Sequence, residues 1–495
     1  MNRFLRGTLI LFISGIILKV MGFFYQVFIV RTIGTEAIGL VNMVHPYYIA
    51  PVIIATMGMP IAISRIVAKT EAKNENNGQI MRTAFKLVIV LSALTLVSAL
   101  IFMPRIFARA GFDNRLRWCF YILLPGIIIV PLSSVMRGYF QGRRRMLSPA
   151  LGQIFEQMCR ISVGAGLIYF FKDAYQGYLA LFLCAALICG EFGGLVLLSV
   201  FYLHERRSEK NLPLGEAHLA EMLALGVPAT LTRLTSSVDL MAEAWILPAG
   251  LRKHGVTASE SAALYGRLNS VCFTLVSLPG VLTNALAAML LPSIAALSVR
   301  DKAKLKEKCA DSILVTYMFA LPVAAIFYQE GGAMLALIYK LHDLEEVMRI
   351  LSVCAIFIYL GQTMVGILQG LGRNQAVFWT NLSGSVLKIV LLAILVYDRG
   401  EGIKGAAWAF MAAYGGQCMI EFVLLKIYVG FRLSAKRLLL PFLASGAVWM
   451  MVPLFTANLQ IFFGAWAPIW ASVILCLGYL TILRLLGVFS LEMLS

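Results

Sequence analysis

Fourteen apolar stretches of about 18 residues or more, each bounded by charges or by Gly and Pro clusters, follow one another along the chain. Their approximate limits are 7–31, 38–64, 83–103, 116–140, 150–171, 178–203, 221–247, 270–297, 310–328, 346–370, 375–397, 403–428, 436–456 and 463–486. A helix of about 20 residues crosses the hydrocarbon core of a bilayer, so the pattern predicts an all-α polytopic membrane protein of about 14 transmembrane helices. Gly332 to Tyr339 is apolar but too short to cross and reads as an interfacial piece of the loop before the tenth span. The first run, about Gly7 to Val30, is too long for a signal-peptide core and lacks a small-residue cleavage site, so it is expected to remain as the first span.

Composition agrees with this reading. Of 495 residues, 60% are hydrophobic and only 14% charged, outside the range of soluble domains. The longest polar interval, His204 to Ala220, cannot hold a domain, which excludes a fused soluble enzyme. The net charge of +17 does not point to nucleic acid, because the cations share a chain that cannot leave the bilayer; it reads as membrane orientation and an anionic substrate. Nine scattered cysteines form no CxxC pair and no Cys/His cluster, so neither a disulfide framework nor a metal site is expected.

With both termini inside, Arg65, Lys69, Lys73 and Arg82; Arg143, Arg144 and Arg145; Arg206, Arg207 and Lys210; Arg300 to Lys308; and Arg432, Lys436 and Arg437 all fall on the cytoplasmic side. The loop carrying Arg105, Arg109, Arg115 and Arg117 runs against this rule, and could hold an anionic headgroup at the outer surface.

The chain repeats itself at an offset of 228: Met136, Gly138, Gln141, Gly142, Arg145 and Ile161 recur as Met364, Gly366, Gln369, Gly370, Arg373 and Ile389, with Arg160 matched by Lys388. Two pseudo-symmetric six-helix lobes in parallel topology are therefore expected, residues 1–203 and 221–430, joined by a cytoplasmic linker at 204–220 and followed by two C-terminal helices in 431–495.

Ionisable groups inside spans are costly unless they are paired or face water. Lys19 lies twelve residues into the first span, with no acid in its own helix; it either lines a cavity or has a partner on another helix. The seventh span carries Arg233, Asp239 and Glu243, the two acids on one face. Arg267, at the start of the eighth span, is either a site residue or an interfacial cation. Glu156 and Arg160 are spaced for an intrahelical pair, Lys388 faces Gly384 where Glu156 would be, and Glu191 and Glu421 either take up a coupling proton or pair with a neighbouring cation. These seven, Asp239, Glu243, Glu156, Arg160, Lys388, Glu191 and Glu421, are the candidate coupling or structural charges. Walker A, G-x-S-x-G and H-E-x-x-H motifs are missing, so no catalysis and no cofactor is expected, and a transporter would be driven by a gradient or by potential.

Three segments carry a resemblance: SGIILKVMGFFYQVFIVRTIG (Ser14 to Gly34), RGYFQGRRRMLSPALGQIFEQMCRI (Arg137 to Ile161) and GVPATLTRLTSSVDLMAEAWILP (Gly226 to Pro248). They are similar to the stage V sporulation protein B branch of polysaccharide-transport proteins, in the MOP superfamily that also holds the MurJ lipid II flippases and the MATE multidrug antiporters. The resemblance implies two lobes around a central cavity, alternating access, and a bacterial plasma-membrane location. It matches Lys19 to a cavity cation of the MurJ proteins, and Arg267 roughly to another. It departs from them at Tyr25, where a second cation is usual, and at the Pro-rich Pro46 to Pro60 segment.

The function so implied is flipping of an undecaprenyl-pyrophosphate-linked, lipid II-like glycan precursor for peptidoglycan or a related wall polymer, with Lys19, Arg233 and Arg267 as substrate-binding cations. The partners would be the lipid-linked oligosaccharide pyrophosphate, anionic membrane lipids and cell-wall synthesis enzymes, with no nucleic acid. A MATE-type cation antiporter and a non-transporting scaffold for wall synthesis are the rivals.

Overall fold

A computed structural model describes residues 3–73, 75–173, 176–206 and 219–485. Most of the expected linker at 204–220, including Arg207 and Lys210, lies outside the described residues. Among them there is no β-strand; the helices satisfy their backbone N–H and C=O groups internally, as a bilayer without partners for them demands. Fourteen helical rods follow in order: α1 (Arg3–Ile33), α2 (Thr35–Thr56 and Met59–Ala72), α3 (Gly78–Arg109), α4 (Asn114–Leu123 and Gly126–Gly142), α5 (Leu147–Phe171), α6 (Leu179–Arg206), α7 (Leu219–Lys253), α8 (258–300), α9 (Lys302–Tyr339), α10 (Glu345–Gly370), α11 (Asn374–Asp398), α12 (Gly402–Val429), α13 (Ala435–Phe463) and α14 (Ala467–Leu485).

Twelve helical stretches are long and apolar enough to cross a membrane, the last of which, Ala435–Arg484, contains both α13 and α14. The rod missing from that set is α7, whose apolar character is diluted by Arg233, Asp239 and Glu243. Large aromatic side chains crowd the α5–α6 and α13–α14 turns: Tyr169 and Phe170 are 77% and 75% exposed, and Phe462 is 80% exposed. Exposed aromatic rings at the ends of membrane helices suit the membrane–water interface.

The structure corrects three boundaries. Gly332 to Tyr339 is no interfacial piece but the last turns of α9, a single helix of 38 residues capped by Asp301, whose carboxylate accepts from the amides of Ala303 and Lys304 at 3.0 Å. The eighth rod begins at Ala258, not near 270. The second span runs on to Ala72, interrupted where Met57 and Gly58 take left-handed backbone with φ 45° and 59°. Pro46 and Pro51 lie inside an unbroken helix, so the interruption of α2 follows the glycine rather than those prolines.

The chain divides into two compact units, Met1–Pro248 with Val256–Gly266, and Ala249–Gly255 with Arg267–Ser495. Most of α7, placed with residues 221–430 by the repeat, packs in the first unit. The repeat itself has a packing cause. In the first unit, a Cβ on Gly138 would meet Pro60 at 3.0 Å and one on Gly142 would meet the Ser64 carbonyl at 2.7 Å. In the second unit, a Cβ on Gly366 would meet Ala287 at 2.7 Å and one on Gly370 the Leu291 carbonyl at 2.9 Å. Each copy thus uses a small-xxx-small seam to seat α4 on α2 and α10 on α8.

Candidate functional site

In the first unit, α4, α5 and α6 carry one charge network. The Glu156 carboxylate accepts from Arg137 at 2.7 Å and from Arg160 at 2.9 Å, and Arg160 also reaches Glu191 at 3.6 Å. The intrahelical Glu156–Arg160 pair expected from spacing is present. Arg137, which stands near the end of its span, was not among the expected participants. The repeat held the signal: Arg137 corresponds to Val365 and Glu156 to Gly384, so a cation and an acid are gained together in one copy. Close approach of α6 permits the network, since a Cβ on Gly190 would lie 2.8 Å from the Glu156 carbonyl.

Lys19 and Arg233 behave differently. Lys19 lies one residue from the midpoint of α1 and Arg233 three from that of α7. Both are exposed, and among the described residues neither forms an ion pair. The two acids of α7 turn elsewhere: Glu243 is 4% exposed and receives the Tyr265 hydroxyl at 3.5 Å, while the neighbouring Met241 carbonyl accepts from Tyr47 at 3.1 Å. Asp239 is half-buried one turn earlier. Lys69 of α2 pairs with Glu221 at the start of α7.

The cations expected on one loop stand instead on helix ends, Arg105 and Arg109 on α3 and Arg115 and Arg117 on α4, and are partly neutralised by the protein. Arg115 is gripped by Glu36 and Asp113, both at 2.7 Å, and Asp113 caps the first helix of α4. Arg105 instead donates to the Ile101 carbonyl at 2.6 Å.

In the second unit Arg267 is not at the start of its span. It opens a π-helical segment, Arg267–Phe273, nine residues inside α8, and its Nε is enclosed without a hydrogen-bond partner. It precedes the apolar stretch Gly280–Arg300 of that rod; π-helical turns within α-helices are frequent at functional positions. Lys388 is buried over the Phe410 ring at 5.6 Å. Glu421 is fully buried: its Oε1 accepts from Gln417 at 2.8 Å and Thr380 at 3.4 Å, whereas Oε2 has no hydrogen-bond partner among the described residues. Glu421 borders a cavity of about 620 Å³ between α8, α10 and α12, which also presents Asn284, Gln362, Gln369 and Tyr414. Gln417 stands four residues before Glu421 on α12, a pairing that spacing allows, whereas Thr380 reaches it from α11 and has no signature along the chain.

The buried acids of the two units stand at different repeat positions, Glu156 and Glu191 in the first and Glu421 in the second. In the first, two arginines are paired with two glutamates. In the second, one acid keeps an oxygen unsatisfied beside an open cavity. Among the described residues no group of three or more metal-ligating side chains is found.

The profile of the polysaccharide biosynthesis protein family matches residues 4–298. The chain is 25% identical over 430 residues to stage V sporulation protein B of Bacillus subtilis (strain 168), covering 83% of this chain and 81% of that protein. It is 23% identical over 490 residues to the lipid II flippase MurJ of the same organism, covering 91% of this chain and 88% of the relative. Its fold is similar to a solved structure of the lipid II flippase MurJ in an inward closed conformation, with a TM-score of 0.74 at 15% identity over 96% of this chain and 99% of the other.

Proposed function

We propose, from the premise that this chain belongs to the polysaccharide biosynthesis protein family, that it flips a lipid-linked, pyrophosphate-bearing glycan precursor from the cytoplasmic to the outer leaflet of a bacterial plasma membrane. The product would feed peptidoglycan or a related wall polymer, handed to cell-wall synthesis enzymes. Membership in a family that includes relatives of MurJ supports a lipid-linked substrate. One observation carries the reading further: Arg137 of α4 and Arg160 of α5 are matched by glutamates, whereas Lys19 and Arg233 are left exposed without an acidic partner among the described residues.

An unpaired cation at mid-membrane is stabilised when it meets an anion. A pyrophosphate supplies that charge and loses its own hydration as it enters. Arg233 offers paired donors to phosphate oxygens and Lys19 a mobile point charge. The prenyl tail stays in lipid, so only the headgroup needs a polar route. With both termini inside, an inside-negative potential favours outward movement of the anion by about 2.3 kcal/mol per charge per 100 mV, which makes ATP unnecessary.

Transbilayer movement of a fluorescent lipid-linked disaccharide-peptide pyrophosphate in proteoliposomes tests this. Lys19→Ala and Arg233→Ala are each expected to slow potential-driven movement by about tenfold or more, the loss of one hydrogen-bonded charge contact, with Lys19→Arg close to wild type. Arg267→Ala, measured beside them, asks whether the second unit contributes a cation. Absence of movement in wild type, together with expulsion of a lipophilic cation under a proton or sodium gradient, would make the protein a MATE-type antiporter. Full wall synthesis in cells carrying both alanine variants would favour the scaffold.

Glu421 is the charge proposed for coupling, because its Oε2 is unsatisfied, and Glu156, Arg160 and Glu191 are proposed as structural. Asp239, Glu243 and Lys388 are assigned to packing of their helices. Glu421→Gln should abolish the dependence of transport on an imposed pH gradient while movement driven by potential persists. An unchanged gradient dependence removes Glu421 from that role.

A further inference from the structure

The turn between α4 and α5 and its copy between α10 and α11 have one backbone. In the first, the amides of Arg143, Arg144 and Arg145 donate to the carbonyls of Tyr139, Gln141 and Phe140 at 3.1, 3.0 and 2.9 Å. In the second, Leu371, Gly372 and Arg373 donate to Ile367, Gln369 and Leu368 at 3.0, 3.0 and 2.9 Å. Each turn closes its helix with a left-handed residue, Arg144 at φ 57° and Gly372 at φ 72°. Such a cap favours glycine, because a Cβ there crowds the following carbonyl. The second copy follows that preference and the first does not. Membrane orientation gives no reason for a third cation at the strained position, since Arg143 and Arg145 already flank it.

The three arginines are also used differently. Arg143 is taken up by Glu71 at 3.2 Å and Glu205 at 3.3 Å, and Arg145 by Glu205 at 2.5 Å. Arg144 is exposed and among the described residues forms no ion pair. All three face a cavity of about 830 Å³ that Ile10, Leu147 and Ser148 also line. Three arginines against two glutamates leave it one net positive charge, and the apolar Ile10 and Leu147 stand beside the Ser148 hydroxyl.

We propose that this cavity binds the phosphate-bearing headgroup of an anionic membrane lipid, with Arg144 and Ser148 on the phosphate and the Ile10 and Leu147 side along the acyl chains. Its place where α4 ends and α5 begins puts the cations at headgroup depth, where basic pockets between membrane helices take anionic lipids. A soluble phosphate would have no use for the apolar wall. The site is separate from Lys19 and Arg233 and does not depend on what the protein transports.

Native mass spectrometry of the detergent-purified protein, titrated with phosphatidylglycerol, phosphatidylcholine and inorganic phosphate, tests the assignment. Wild type should retain phosphatidylglycerol in preference to phosphatidylcholine. Arg144→Gly installs the residue of the second copy and relieves the backbone, so it should melt no lower than wild type yet bind phosphatidylglycerol about fivefold more weakly, the factor contributed by one interfacial cation. Arg144→Lys should retain the lipid. Equal binding by wild type and Arg144→Gly, or equal binding of the two lipids, overturns the site. Displacement of phosphatidylglycerol by millimolar inorganic phosphate identifies a soluble phosphate ligand and overturns the lipid assignment.

Discussion

Glu156→Gln is expected to destabilise the protein by about 3–5 kcal/mol, the cost of removing one partner from a buried ion pair. Glu156 is the acceptor shared by Arg137 and Arg160, and its side chain is only 13% exposed. Glutamine keeps the shape but not the charge, leaving two guanidinium groups with Glu191 as the remaining acid, 3.6 Å from Arg160. Two cations in a low-dielectric setting then repel each other and lose charge-assisted hydrogen bonds. The measurement is the temperature at which the detergent-purified protein ceases to elute as a monodisperse peak. Combining Glu156→Met with Arg137→Met and Arg160→Met should recover much of the loss, because an apolar replacement of the whole network leaves no charge uncompensated. A single Glu156→Gln variant that melts with wild type would show that water reaches the network freely and that its charges are not structural.

The second large effect is steric. A Cβ on Gly39 of α2 would lie 1.9 Å from the carbonyl oxygen of Ala262 in α8, and one on Gly266 would lie 2.3 Å from the carbonyl oxygen of Thr35. Both obstacles are backbone, so no side chain can swing aside and the helices themselves must part. Gly39→Val should therefore cost about 3 kcal/mol or more, the upper end of overpacking penalties. It would also weaken the neighbouring contacts that depend on this close seam, among them the Tyr265–Glu243 hydrogen bond. Gly15→Ala in α1 is the control: open space surrounds that position, and the same assay should detect no loss. If Gly39→Val melts with Gly15→Ala, the approach of α2 to residues 258–266 is looser than these distances require.

Legibility of the site differed from residue to residue. Lys19 and Arg233 could be picked out because each interrupts an apolar run without an acid placed to neutralise it within its own helix, and among the described residues neither forms an ion pair. Arg267 was misplaced, because the charges and small residues of Ala258–Gly266 disguise the first turns of α8 as a loop. The Glu156–Arg160 pair was readable from i, i+4 spacing, but its extension to Arg137 and Glu191 joins three helices and has no signature in one dimension.

By itself the sequence determined the class of molecule, its fourteen apolar helices, the internal repeat at an offset of 228 and the positions of Lys19 and Arg233 near the middle of their helices, since these follow from hydropathy and spacing along one chain. Tertiary structure alone decided which charges find partners. It also decided that α9 is continuous through Gly332, where the helix packs against α10 and a Cβ would meet Glu345, and that Arg144 rather than Arg143 or Arg145 is left for a ligand. The physical reason is the same in each case: hydrophobic periodicity is a local property of one helix, whereas an ion pair, a close helix crossing or an unsatisfied carboxylate such as Glu421 depends on which residues other helices bring within a few ångströms.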